Sequence, residues 1–281
     1  GRVTGFLEKP SWSEVFSDKV NTGIYILEPE IFSYYEKNQK FDFSNDLFPI
    51  LLNGKRPMYG YVAEGYWCDI GNIEQYIRCH FDILKSLVDV NIKGEKYKDG
   101  IWVGENCEIS TEAKISSPVY IGRGTKIYEK SEIGPYTILG KNNIISNGAT
   151  IKRSILFDNC YIGDSTEVRG AVLCKKVQLE SKASVFEEAA IGDDTLIRER
   201  AIVKPGVKIW PNKIIDSSTV VKSNVIWRGK FSKSLFGKKG ITGEVNVDIT
   251  PEFVSKLGSA YGSQLKSDSK VAIACCDSGA A

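Results

Sequence analysis

Ile121-Gly122-Arg123-Gly124-Thr125-Lys126-Ile127-Tyr128-Glu129-Lys130-Ser131-Glu132-Ile133 decides the fold of this chain. Isoleucine opens each six-residue unit, and a small or β-branched side chain, Thr125 and then Ser131, follows four positions later. The frame extends outward from Val103 through Ile109 and Ile115, and onward through Leu139, Ile145 and Ile151 to Ile209, ending around Ile214 after nineteen units. Two units are one residue short, after Ile151 and after Val168. A period of six held through two slips over more than a hundred residues predicts a coiled parallel β-helix rather than a sandwich with accidental spacing.

Three units should make one triangular coil, with coils stacked about 4.8 Å apart and backbone groups paired from coil to coil. The second inward set includes Cys107, Ala113, Thr125, Ala149, Cys160, Ala183 and Ala201, while Asn143, Ile155 and Lys213 strain the rule. Glycine follows the opener at Gly104, Gly122, Gly134, Gly140, Gly163 and Gly192, where the corner is expected to need backbone freedom. This pattern resembles the left-handed β-helix of the hexapeptide-repeat family. The hand comes from that resemblance, since the ordinary crossover rule favours the right hand.

With 281 residues the chain exceeds one typical domain. Its 37 Lys and Arg against 35 Asp and Glu leave a net charge of +2, too weak a field to imply nucleic acid or an anionic membrane as partner. Pairs such as Lys152 with Arg153 read as solvated surface. Seven cysteines carry no CxxC pair, and Cys107, Cys160 and Cys174 fall at apolar positions read as inward. That argues for buried thiols in a reducing cytoplasm over a disulfide framework. No stretch reaches the length of a membrane span. The start at Gly1 and the finish after a strand-like Val271 to Cys275 both read as cuts inside domains, as in a fragment of a longer polypeptide.

Ahead of the repeats, Val3 to Leu7 and Thr22 to Leu27 read as strands, and Ile31 to Glu36 and Asp46 to Leu52 as short helices. Ile73, Tyr76, Ile77, Phe81, Leu84 and Val88 follow helical spacing, with Asn72 and Gln75 as a capping box. Three motifs stand in order here: Phe6-Leu7-Glu8-Lys9-Pro10, Asn21-Thr22-Gly23-Ile24-Tyr25 and Trp67-Cys68-Asp69-Ile70-Gly71. Each alone reads as a surface turn, a loop or a strand end. Together, before a hexapeptide β-helix, they resemble the C-terminal half of the sugar-phosphate nucleotidyltransferase fold, whose members join a nucleoside triphosphate to a sugar 1-phosphate and release pyrophosphate.

The resemblance implies that Glu8 accepts from sugar hydroxyls, Lys9 holds the sugar phosphate, Asn21 contacts the sugar and Gly23 permits its close approach. Asp69 is implied as one of two carboxylates binding Mg²⁺, a hard cation suited to oxygen ligands and to stabilising in-line displacement. The Gly-rich loop that cradles the triphosphate in that family has no counterpart here, so the segment carries the sugar-phosphate side and one metal ligand.

Beyond Trp227 the six-residue frame is lost. Phe236-Gly237-Lys238-Lys239-Gly240-Ile241-Thr242-Gly243 precedes Thr250-Pro251, a strong helix start, and a helical pattern through Phe253, Leu257, Tyr261 and Leu265. This order resembles the opening of the phosphohexomutases. The serine of that family's catalytic loop is expected just past Ala281, Ser278 standing too close to Asp277, and Cys276 replaces the basic residue usual before the Asp.

The organisation read is therefore an α/β C-terminal part of a nucleotidyltransferase domain (1–90), a linker (91–102), a left-handed parallel β-helix (103–228) and a partial α/β phosphohexomutase-like domain (229–281). The expected activity of the full-length parent is nucleotide-sugar synthesis, with GDP-mannose favoured by the mutase-like tail and uridylyl or thymidylyl transfer to glucose 1-phosphate open. The fragment alone is expected to be inactive. Stacked coils leave faces for a homo-oligomer. The alternative reading is a noncatalytic regulatory or assembly subunit. An acyltransferase is a third reading, opposed by the position of the one histidine, His80, ahead of the repeats, where it reads as structural.

Overall fold

A computed structural model describes residues 1–8, 10–226, 230–231, 236, 240–241, 249–266 and 269–272. It divides into two compact units, Gly1–Gly65 and Tyr66–Ala281.

The second unit is a parallel β-solenoid. Short strands of two or three residues pair in parallel with the strands three before and three after, building two eight-stranded sheets and one of seven strands. Ile121, Ile133, Leu139, Ile145, Ile151, Ile162, Val185, Ile191 and Ile197 are fully buried in one continuous core. Openers Val103, Ile109 and Ile115 of the first coil are half-buried, because no coil lies beneath them. The frame also runs further than expected. Ile215 and Val221 are buried openers, followed four residues later by buried Thr219 and Val225. Twenty-one openers, three to a coil, make about seven coils.

The structure corrects the account of the short units. Counted back from the next opener, the small inward position belongs to Ser154 and Ala171, both fully buried, so the residue is lost ahead of that position. Ile155 accordingly points outward, and its apolar character has another cause, given below. Asn143, buried completely, is satisfied: its Nδ2 donates to Gly140 O at 3.0 Å and its Oδ1 accepts from Cys160 N at 2.8 Å. Cys174 follows the opener Leu173 and is half-exposed, not inward.

The glycines after the openers have a different cause from the one expected. Backbone with positive φ falls three residues after a regular opener and is filled by Asn106, Lys130, Asn142, Ser165 or Asp194 as readily as by glycine. The residue after the opener instead lies under the next coil: a Cβ on Gly192 would stand 2.5 Å from Pro211 N, and one on Gly104 2.5 Å from Arg123 N. Close stacking of coils requires glycine there.

Helix α2 (Ile73–Leu84) belongs to the same unit, while α1 (Phe48–Asn53) lies in the first. Asn72 caps α2 by accepting from Gln75 N at 2.8 Å, but the Gln75 side chain accepts from Gly71 N at 3.0 Å, so the reciprocal bond falls one residue earlier than in a capping box. Strand Glu95–Lys98, within the expected linker, pairs antiparallel with Ile101–Val103 and covers that sheet's lower edge.

The first unit is built on Leu47, Phe48 and Leu51, which are buried beneath Phe6, Ile31, Tyr34, Phe41, Phe43 and Met58. Its expected strands do not form. Val3 to Leu7 forms no ladder, the one antiparallel bridge, Arg2 with Tyr59, falling just before it, and Thr22 to Leu27 forms none either. Apolar alternation marks a strand only where a neighbouring edge accepts its backbone bonds, and the described residues of this unit offer none beyond that bridge. The expected short helices appear as a 3-10 helix at Pro29–Tyr34 and a π-turn, Phe43–Leu47, running into α1. Beyond the solenoid, α3 (Pro251–Gly262) starts as expected, with Thr250 Oγ1 accepting from Phe253 N at 3.2 Å. Ser278, Asp277 and Cys276 lie outside the described residues.

Candidate functional site

In the first unit one aromatic ring anchors two of the three motifs. Phe48, opening α1, meets Phe6 edge-on at 5.0 Å and Tyr25 at 5.2 Å. The segment carrying Glu8 and the segment carrying Asn21 and Gly23 are therefore pinned to one core. Glu8 is half-buried two residues after Phe6. Lys9 lies outside the described residues.

Asn21 builds its own turn. Its Oδ1 accepts from Gly23 N at 3.0 Å and its Nδ2 donates to Tyr25 Oη at 2.6 Å, so the side chain is oriented while one acceptor lone pair and one amide hydrogen stay free for a ligand. Gly23 has φ +75° with nothing within 4 Å of where a Cβ would stand. Glycine is required there by backbone conformation, and the space above it is open.

Asp69 belongs to the second unit and is tied to the solenoid through α2. Tyr66 Oη donates to Asp82 Oδ2 at 3.0 Å, fastening the 66–71 segment to the last turns of the helix. Burial first, and then this bond to a carboxylate, hold the Tyr66 hydroxyl well above its ordinary pKa, which keeps it a donor. The helix is seated on an outward ladder of one solenoid sheet. Trp102, Tyr120, Ile138, Ile155, Val172 and Ala190 pair in register up that face. Ile77 of α2 is buried against Ile155 and Val172, with Ile73, Tyr76, Phe81, Ile138 and Phe157 around them. Phe81 and Lys85 both meet the Tyr136 ring, at 5.0 and 5.3 Å. Reading the six-residue frame missed this ladder, yet the sequence shows it: the residue before every third opener is apolar from Trp102 to Ala190. Tyr66 gave no comparable signal.

Asp69 offers one hard oxygen donor, and among the described residues no group of three or more His, Cys, Asp or Glu side chains is placed to hold a metal. One carboxylate fits Mg²⁺, which is commonly bound through one or two carboxylates together with substrate phosphates and water. His80 is committed to structure: its Nδ1 lies 2.9 Å from Tyr76 O and its ring packs on Tyr76 at 4.4 Å. Lys152 and Arg153 are paired with Glu132 and Glu187 at 3.5 and 3.7 Å, in keeping with solvated surface. Among the described residues no helix is long and apolar enough to cross a membrane.

Residues 1–86 match the family model described as nucleotidyl transferase, and residues 98–203 match the EIF2B subunit epsilon LbH domain. A UTP--glucose-1-phosphate uridylyltransferase of Synechocystis sp. is 29% identical over 201 residues, 71% of this chain and 52% of its own length. A mannose-1-phosphate guanyltransferase of Candida albicans is 29% identical over 227 residues, 80% of this chain and 57% of its own. Among solved structures, the UDP-N-acetylglucosamine O-acyltransferase of Moraxella catarrhalis aligns with a TM-score of 0.36 at 14% identity, over 62% of this chain and 86% of that one. The chain thus joins a nucleotidyl transferase domain to a β-solenoid and is homologous to sugar-phosphate nucleotidyltransferases. It spans about half the length of the curated relatives it matches.

Proposed function

We propose that the protein to which this chain belongs transfers a nucleotidyl group from a nucleoside triphosphate to a sugar 1-phosphate, releasing pyrophosphate, with GDP-mannose as the product. The observation that carries the reaction class is the match of residues 1–86, which spans Glu8, Lys9, Asn21, Gly23 and Asp69, followed directly by the β-solenoid. Glu8 and Asn21 orient the sugar hydroxyls, Gly23 leaves room beside them, and Lys9 offsets the phosphate charge. Asp69 serves as one carboxylate for Mg²⁺, which when bound neutralises charge on the phosphates. Mannose and guanine are supported by the guanyltransferase relative and by the mutase-like order of Phe236 to Thr250, which we read as the start of a fused phosphohexomutase domain. Self-association through solenoid faces completes the proposal.

The test is a pyrophosphate-release screen of the protein extended with its native upstream sequence, across the nucleoside triphosphates and the 1-phosphates of mannose and glucose. GTP with mannose 1-phosphate should lead. A preference for UTP with glucose 1-phosphate would move the product to UDP-glucose, and inertness of every pair would remove the enzyme reading. Asp69→Asn should lower the rate by orders of magnitude with little change in melting temperature. Lys9→Ala should weaken sugar-phosphate binding by about 1.5–3 kcal/mol, the worth of a charge-assisted contact.

A further inference from the structure

Of the three solenoid faces, one seats α2 and another is strongly basic. On the seven-stranded sheet, outward Lys114, Lys152, Arg169, Lys204 and Lys222 stand against Glu132 and Glu167, a balance of +3. Lys114 and Lys152 share Glu132 at 3.9 and 3.5 Å, and Arg169 lies 3.3 Å from Glu167. Two copies of that face would repel each other. The third sheet differs. Lys126, Ile144, Tyr161, Gln178, Leu196 and Ile214 rise along it in register, and Ile144, Tyr161 and neighbouring Tyr128 are exposed. Two positions along the strand from Ile144 is Ser146, and from Tyr161 is Gly163, both buried. A ridge of large side chains thus borders a shelf of small ones.

We propose that this third face joins two copies of the chain in a two-fold dimer. An axis parallel to the solenoid lays each ridge on the other copy's shelf, Tyr161 over Gly163 and Ile144 over Ser146, and sets Lys126 against the Tyr128 ring. An axis across the solenoid would set ridge on ridge. Outward Glu108, Glu180 and Asp216 against Lys126 and Arg198 leave the face at only −1, with Glu108 and Lys126 already paired at 2.9 Å, so self-pairing meets little repulsion. The area also suffices. Seven coils at about 4.8 Å and a width of roughly 15 Å give about 500 Å² per copy, roughly 1,000 Å² in total, the lower bound for a specific interface. The dimer is therefore a reversible one. Because α2 is seated on a different face, dimerisation leaves the support of the Asp69 segment uncovered. This assigns a face to the self-association proposed above and rests on it.

Sedimentation velocity of the 281-residue chain from about 1 to about 100 μM should show a monomer giving way to a dimer. Tyr161→Asp and Ile144→Asp each enter the interface twice by symmetry, so each should raise the dissociation constant at least about a hundredfold. Val220→Asp, an equally exposed site on the basic face, should leave it unchanged. All three positions are exposed, and an unaltered thermal transition in each variant confirms that the solenoid is intact. Ser146→Leu separates seating from mere stickiness. Bulky Tyr128 and Arg198 occupy the equivalent position in other coils, so the fold accepts leucine there, yet it fills the shelf that receives Ile144 and should weaken the dimer although it adds apolar surface. A chain monomeric at every concentration overturns both this proposal and the self-association beneath it. A dimer that survives Tyr161→Asp and Ile144→Asp, or one strengthened by Ser146→Leu, overturns the face alone.

Discussion

Ile155 and Ile162 are both isoleucines of the repeat with almost no exposed surface, 2% and 0%, yet they face opposite sides of the solenoid wall. Ile162 points into the shared core, whereas Ile155 points outward beneath Ile77 of α2. Truncation to alanine removes three carbons from either, roughly 2.4 kcal/mol of transfer free energy at about 0.8 kcal/mol per carbon, plus a cavity contribution. At position 162 the loss of about 2.5–4 kcal/mol should fall on the cooperative solenoid and appear as a lower melting temperature. At position 155 the lost contacts are those that dock α2, so about 2–3 kcal/mol should be taken from the local opening of that helix. Hydrogen exchange of amides in 76–84 should then quicken roughly 25- to 140-fold while solenoid amides keep their protection. Peptide-resolved exchange of the two variants is the assay. Equal loss of protection across the solenoid in both, or an unchanged α2 in Ile155→Ala, would refute the outward assignment and with it the seating of the Asp69 segment on the solenoid.

A charge in the core tests the frame itself: Ile162→Asp buries an unpaired carboxylate and should cost several kcal/mol, read as a lost or strongly lowered thermal transition. The two kinds of solenoid glycine should separate under substitution. Gly192→Ala puts a Cβ 2.5 Å from Pro211 N and should cost about 3 kcal/mol, whereas Gly206→Asn, at φ +73°, should be nearly neutral, since Asn142, Asn159 and Asn212 adopt the same conformation at equivalent positions. The Cys160 thiol, pushed up to about 12 by burial, gives a signed pH effect. Because the folded state keeps it protonated while the unfolded thiol ionises near 9, its stabilisation is complete below pH 9 and is lost as pH rises toward 12; Cys160→Ala should flatten that part of a melting-temperature profile. A profile of unchanged slope in the variant would show that another group governs alkaline unfolding.

The parts of the fold legible in the sequence are those where one residue's surroundings repeat. Each opener of the solenoid sees the same wall as the opener a coil away, so the same choice recurs and becomes visible against a variable background. Helix starts were legible for a related reason: Asn72 and Thr250 satisfy donors three residues away, and such a short bond needs no knowledge of the rest of the chain. Strands at Val3 to Leu7 and Thr22 to Leu27 were not legible, because a strand is a relation between two segments and the sequence of one states only its half. The Asn21 turn lies between these cases, since its bonds are local while any ligand it serves is not.

The slips after Ile151 and Val168 join these levels. Read only within the frame they are defects, two places where a residue is missing and the inward corner position falls to an aliphatic side chain, Ile155 or Val172. In the structure the small residues Ser154 and Ala171 fill those corners, and the two aliphatic side chains stand one above the other on the outer wall as the floor for Ile77. A five-residue unit leaves the outward residue in register with its neighbours in the coils below and above, so the apolar ladder passes through both slips unbroken. The slips thus preserve the one solenoid face that must accept a helix, and that helix holds the segment carrying Asp69. Restoring six residues by inserting one between Lys152 and Arg153 should therefore be a surface event if the extra residue bulges at the turn. If the six-residue spacing instead shifts the strand, Ile155 leaves the ladder and α2 loses its seat. Exchange at 76–84 separates the two outcomes, and continued protection there would show that register in this wall is fixed by the core and not by unit length.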